Sequence, residues 1–232
     1  MRLGIFTDSH YCSAESTWEG RYNNKSLAKI KQAMKHFAEE KCDVVICLGD
    51  LTDFEDTHEE EVVRLGEIAE VLNSYGMKKI VLQGNHDAFA FDVPEFYEII
   101  GEHCRPETLY FKESVLIFLD ACYFKSGERY RPGDTDWRDT YYPFEGELET
   151  ILDGVSGKAY VFLHQILDPS VCEDHRLFND SEVRTILEKS GKVKAVYQGH
   201  YHPGNKTTLN GIEYVTFPAM CEKEDAYYIV EI

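Results

Sequence analysis

Short apolar runs of three to five residues recur along this chain, and five of them stop at a polar cluster rich in Asp, Asn or His. Leu3–Phe6 leads into Thr7-Asp8-Ser9-His10, and Val44–Leu48 into Gly49-Asp50-Leu51-Thr52-Asp53. Ile80–Leu82 leads into Gln83-Gly84-Asn85-His86-Asp87, Tyr160–Leu163 into His164-Gln165, and Val193–Tyr197 into Gln198-Gly199-His200-Tyr201-His202. A β-prone run that ends at a glycine or a polar turn reads as a buried strand. Between the first runs the period changes. Leu27, Ile30, Met34 and Phe37 fall at helical spacing over Ser26–Glu40, as do Val62, Leu65, Ile68, Ala69 and Leu72 over Thr57–Tyr75. The third strand is expected to end at Asn85, and a short helix follows over Pro94–Ile100, with proline near its first turn. Repeated β-α-β at this spacing predicts a parallel sheet.

The middle of the chain departs from that rhythm. Thr108–Lys112 and Ser114–Asp120 read as adjacent strands, whereas Cys122–Pro143 is dense in Tyr, Arg, Asp and Gly without periodicity. A helix over Glu145–Leu152, the strand into His164, a second irregular loop and a helix over Ser181–Lys189 come next. The remainder is strand: Lys194–Gln198, Lys206–Leu209, Ile212–Phe217 and Tyr227–Ile232, with Asn210-Gly211 predicting a type I′ hairpin. One α/β domain over residues 1–232, with two sheets, is the expected organisation.

In open α/β sheets, sites form beyond the carboxyl ends of the strands, so the five clusters are expected to meet on one edge. Asp8 and His10, two apart, point to the same side if the backbone stays extended. Glycines 49 and 84 let backbone approach the site, and Gly199-His200-Tyr201-His202 adds two imidazoles. Carboxylate, amide and imidazole without thiolate suit Mn, Fe or Zn rather than a closed structural zinc. Seven candidate ligands exceed what one ion needs, so two metal ions are expected. Such a pair lies ~3.5–4 Å apart and shares a bridging carboxylate.

Charge narrows the partners. With 24 Lys plus Arg against 42 Asp plus Glu, the net charge is −18, which repels nucleic-acid polymers and anionic membranes. A small phosphorylated substrate stays open, because cations in a cleft reverse the local potential. Seven cysteines, odd in number and without C-x-x-C spacing, point to a reducing, cytoplasmic compartment. The absence of an apolar leader before Leu3 and of any membrane-length apolar stretch agrees with that expectation.

The clusters D-x-H, G-D-x-x-D, G-N-H-D, a lone H and G-H-x-H, in this order over residues 5–202, resemble the signature of calcineurin-like metallophosphoesterases. The resemblance implies a four-layer α/β/β/α sandwich of two mixed sheets, with the metal site at the C-terminal strand ends. It implies that Asp8, His10 and His202 bind one metal, that Asn85, His164 and His200 bind the other, and that Asp50 bridges them. His86 then faces the substrate phosphate, with Asp53 as the acid that orients it. The implied reaction is hydrolysis of a small phosphoester by in-line attack of a metal-bridging hydroxide.

Substrate choice is expected from the loops, where Arg21-Tyr22 is similar to family members that cleave ADP-ribose or CDP-alcohol pyrophosphate bonds. Arg21 and Tyr22 are therefore candidate substrate contacts, and His175 is a third because it lies in the loop after His164-Gln165. A nucleotide-type phosphodiester or pyrophosphate, as in that branch or a cyclic nucleotide phosphodiesterase branch, ranks ahead of a phosphomonoester. A protein phosphatase is disfavoured by Phe54, which stands where an arginine usually follows the motif. A non-catalytic scaffold is disfavoured by the intact ligand positions.

Overall fold

A computed structural model describes residues 1–133 and 136–232. The first sheet runs β1 (Arg2–Phe6), β2 (Val44–Cys47) and β3 (Lys78–Val81) in parallel, with the C-terminal β10 (Tyr227–Glu231) antiparallel outside β1. The second holds β4 (Leu109–Phe111), β5 (Ser114–Phe118), β6 (Lys158–Phe162), β7 (Val193–Gln198), β8 (Asn205–Leu209) and β9 (Ile212–Thr216). Its order is β4-β5-β6-β7-β9-β8, with β4 and β8 antiparallel to their neighbours. Both sheets are therefore mixed, as the resemblance implied.

Helices cover the outer faces. Phe6, Val45 and Val81 turn outward onto Ile30, Phe37, Leu65 and Ile68 from α1 (Ser26–Glu39) and α2 (His58–Asn73). Beyond α3 (Asn85–Ala90), α4 (Val93–Ile100) adds Phe96 to the same cluster. Val161 and Val196 meet Leu148, Leu152, Val183 and Leu187 of α5 (Glu145–Gly154) and α6 (Asp180–Ser190). Between the sheets, Leu3, Ile5, Ile46 and Leu48 pack against Leu116, Phe162, Tyr197 and Phe217. This makes the α/β/β/α order of layers. Strands buried on both faces show continuous apolar runs rather than alternation, which is why they were readable. Each fully buried side chain of this kind contributes ~1.5–3 kcal/mol.

Local signals account for most boundaries. Thr57 caps α2 through a capping box with Glu60, and Pro94 lies in the first turn of α4. Asn210 and Gly211 take φ of 51° and 83°, the pair of positive angles a type I′ turn requires. Two expectations are corrected. First, β3 stops at Val81 rather than Asn85, because residues 85–90 coil into α3. The Asp87 carboxylate fixes that turn, accepting from Gly84 N at 3.0 Å and from Leu51 N and Thr52 N at 2.9 and 3.1 Å. Second, Asp8 and His10 are not extended; both are left-handed, at φ 51° and 44°. Pairing to the β2 loop imposes the bend: Asp8 N bonds Gly49 O and His10 N bonds Asp50 O, each at 3.0 Å.

All seven cysteines are free; six are buried, and Cys172 is exposed. Among the described residues, no helix is long and apolar enough to cross a membrane.

Candidate metal centre and cleft

The carboxyl ends of β1, β2, β3, β6 and β7 deliver all seven candidate ligands to one end of the layered structure. Four of them lie where side chains converge most tightly. His10 Nε2 is 3.1 Å from His202 Nε2, 3.8 Å from Asp8 Oδ1 and 3.5 Å from Asp50 Oδ2. On the other side of Asp50, His164 Nε2 is 3.3 Å from the same Oδ2 and 3.2 Å from Asn85 Oδ1. His200 joins Asp50 and His164 in a group whose ligand atoms all lie within 4.8 Å of one another. Asp50 Oδ2 thus stands between two clusters.

Backbone strain marks the same residues. Among the described residues, Asp8, His10, Asp50 and His200 are four of the seven non-glycine positions with positive φ. Such angles cost energy and persist where surrounding bonds over-determine them. Here the bonds are visible: His200 N donates to both oxygens of Asp8 at 3.2 and 3.0 Å, and His86 N donates to Asp50 Oδ1 at 2.9 Å. A methyl group on Gly84 would overlap the Asp50 carboxylate, so only glycine permits this approach.

The electrostatics divide the site. Burial alone would raise Asp50, but His164, His86 and His10 hold it well below the usual carboxylate range. Asp8 is likewise held low, by His10, His164 and His202 against burial. Burial carries His10 down to about 4 and takes His200 well below its ordinary value, so both imidazoles present free lone pairs. Burial would lower His164 too, yet Asp50 and then Asp8 raise it to about 9. The negative potential that raises His164 also attracts cations. Burial, then the charge of Asp50, pushes Asp87 up to about 7.

The buried His200 Nε2 has no hydrogen-bond partner, and His10 Nδ1, also without one, faces Asp53 Oδ2 at 3.6 Å while its Nε2 faces the ligand cluster. Convergent carboxylates and imidazoles, with the unpartnered His200 Nε2 among them, fit a pair of cations of the Mn, Fe or Zn type.

Beside the ligand clusters, His86 Nδ1 lies 3.1 Å from Asp53 Oδ1. Burial lowers His86, but Asp50 and Asp53 together raise it above its ordinary value. Asp53 is itself fixed, accepting from Thr17 Oγ1 at 2.7 Å and Asn23 Nδ2 at 3.1 Å. Phe54 lays its ring 4.9 Å from that of His86.

A cleft of about 580 Å³ opens over these groups. Arg21 and His175 line it, as do Trp18 from the loop over residues 11–24 and Trp137 and Arg138 from the loop over residues 123–143, both rich in aromatics and arginine. Arg21 Nη1 reaches Asp53 Oδ2 at 3.4 Å, and the Trp137 ring lies 4.9 Å from His175 and 5.9 Å from His200. Tyr22 is not among the lining residues; its ring sits under the ammonium groups of Lys25 and Lys29, 4.8 and 6.0 Å away. Sequence reasoning missed Glu222, which lines the cleft and meets His202. It also missed Cys221, within 4.8 Å of His10 and His202. Neither lies in a motif, so no local signal marked them.

The family model described as calcineurin-like phosphoesterase matches residues 1–204. A 3',5'-cyclic adenosine monophosphate phosphodiesterase, CpdA, of Haemophilus influenzae is 24% identical over 226 residues, 95% of this chain and 77% of that protein. Among solved structures, a dimetal phosphatase from Danio rerio superposes with a TM-score of 0.85 at 16% identity, covering 99% of this chain and 91% of that one. Phosphopantetheinyl hydrolase from Mycobacterium tuberculosis superposes at 0.54 with 13% identity, covering 95% and 90%. At these identities the structural likeness is one of fold.

Proposed function

Because the chain belongs to the calcineurin-like phosphoesterase family and is a metal-dependent phosphoesterase, we propose that it hydrolyses a small nucleotide-type phosphodiester or pyrophosphate with two metal ions, Mn, Fe or Zn. The observation that carries this reading is Asp50 Oδ2, 3.5 Å from His10 Nε2 and 3.3 Å from His164 Nε2. In it, Asp8, His10 and His202 would hold one ion, Asn85, His164 and His200 would hold the other, and Asp50 would serve both. Ions held by these residues would lower the pKa of water toward neutrality.

The remaining work falls to side chains of this chain. His86, raised above its ordinary value by Asp50 and then Asp53, donates an N–H to the phosphoryl oxygens and to the departing alkoxide as negative charge builds there. Asp53 in turn is held by Thr17 and Asn23, so the imidazole is oriented before substrate arrives. Phe54 lies against the same imidazole, with ring centroids 4.9 Å apart.

Support for the substrate class comes from the cleft. About 580 Å³ suits a nucleotide-sized ligand. Trp18 and Trp137 offer flat surfaces for a base, and Arg21 and Arg138 offer charge for a second phosphate. The Haemophilus influenzae relative carries the name of a cyclic nucleotide phosphodiesterase, which favours a diester.

Manganese-loaded protein should be assayed side by side on bis-p-nitrophenyl phosphate, p-nitrophenyl phosphate, cyclic nucleotides and ADP-ribose. Diesters and pyrophosphates are expected to give the higher kcat/KM. Turnover confined to the monoester would reverse the ranking.

A further inference from the structure

The segment after β9 lies across the end of β1. Ala219 N donates to His202 O at 3.0 Å, Met220 N to Thr7 O at 3.1 Å and Cys221 N to Asp8 O at 3.0 Å. From α1, the buried Lys29 ammonium clamps the same segment through Met220 O at 2.9 Å and Lys223 O at 3.0 Å. These bonds carry Glu222 into the cleft, where its Oε1 lies 2.5 Å from His202 Nδ1.

We propose that Glu222 is the positioning residue for His202. Accepting the Nδ1 proton fixes the tautomer and leaves Nε2 as a lone pair. The same bond aims Nε2 at the point where His10 Nε2 and Asp8 Oδ1 lie 3.1 and 3.6 Å away. The inference rests on reading that point as a cation position.

An internal contrast isolates the effect. His164 turns its Nδ1 to a neutral acceptor, Leu48 O at 2.9 Å. His202 leans instead on a carboxylate that lies beyond residue 204, where the family match ends. A charged partner makes an imidazole the stronger donor, so removing it weakens one cation position and spares the other. Glu222 acts through His202 and not on the reacting atoms.

Metal-free wild type, Glu222→Gln and Glu222→Ala should each be titrated with Mn²⁺ by calorimetry, with circular dichroism as a fold control. The alanine variant is expected to lose roughly 10- to 100-fold affinity at one of two positions, with the other changed less than about twofold. The glutamine variant keeps an acceptor oxygen without its charge and is expected to fall between, which also serves if the alanine variant misfolds. Titration of the folded variants indistinguishable from wild type overturns the proposal. Equal weakening of both positions overturns it as well. Wild type that takes up no manganese overturns the cation reading itself, a failure distinct from a role for Glu222.

Discussion

Asp8, His10, Asp50, Asn85, His164 and His200 lie on the floor of the cleft with almost no exposed surface, whereas Trp18 and Phe54 at its edge are 72% and 46% exposed. Floor residues are tied by main-chain bonds to neighbouring strand ends: His200 N to Asp8, His86 N to Asp50, His164 to Leu48 O. At the rim, the Trp137 ring lies against His175 and His200, and the Arg138 guanidinium sits 4.4 Å over the indole. A polar group that is buried and bonded on all sides has one position; one at the rim has many. The floor is thus held by the strand ends, with Thr17 and Asn23 of the first loop bracing it through Asp53, while the side chains at the rim carry fewer such ties.

The largest effect should come from breaking the floor at its shared point. Asp50→Asn removes the charge facing both His10 and His164. Metal analysis is expected to find fewer than two ions per chain. Loss of several kcal/mol of charge stabilisation corresponds to a fall in kcat of about three decades or more. Two retained ions with full activity would contradict the shared role.

His86 sits between floor and rim, and its removal should separate binding from catalysis. His86→Ala is expected to keep both metals and lose roughly two to three decades of kcat. Its raised value also sets a pH sign. The imidazolium is the donor, so activity falls as pH rises through the His86 value. Asp53→Asn removes one of the charges that raise it, so that alkaline limb should move to lower pH. A limb unmoved by Asp53→Asn would assign the titration to another group.

At the rim, Trp137→Ala should change binding and leave chemistry alone. Stacking of a base on an aromatic ring is worth about 1–3 kcal/mol, so KM for a nucleotide substrate should rise roughly 5- to 150-fold. Turnover of a ring-free diester such as glycerophosphoethanolamine should stay within about twofold. Equal losses on both substrates would mean that Trp137 braces the floor.

The smallest effect lies away from the cleft and calibrates the others. His58 is raised first by Glu95, at 2.7 Å, and then by Glu61, at 3.2 Å. A folded value above the unfolded ~6.5 stabilises fully below that pH and is lost as pH rises through the folded value. His58→Ala should therefore lower Tm by roughly 1–3 °C near pH 5.5 and leave it unchanged near pH 9.

How far the sequence was readable follows the same division. The periodicity of α1 and α2, the apolar strands apart from the end of β3, and the Asn210-Gly211 turn are local signals, and each fell where the pattern put it. The types and order of the floor residues were legible because each sits at the end of such a strand. Their conformations were not: the left-handed turns at Asp8 and His10 are imposed by bonds to Gly49 and Asp50, some forty residues away. The early end of β3 was hidden for the same reason, since Asp87 draws residues 84–87 toward Leu51 and Thr52. Glu222 reaches His202 only through the packing of a segment that carries no motif. Among the aromatic-rich loops, composition could not tell Trp18, which lines the cleft, from Tyr22, which covers Lys29.

The decisive measurement is the crystal structure of the manganese-loaded protein with anomalous difference maps. Two cations are expected ~3.5–4 Å apart, both touching Asp50, with Asp8, His10 and His202 on one and Asn85, His164 and His200 on the other. One cation only, or a pair that does not share Asp50, would contradict it.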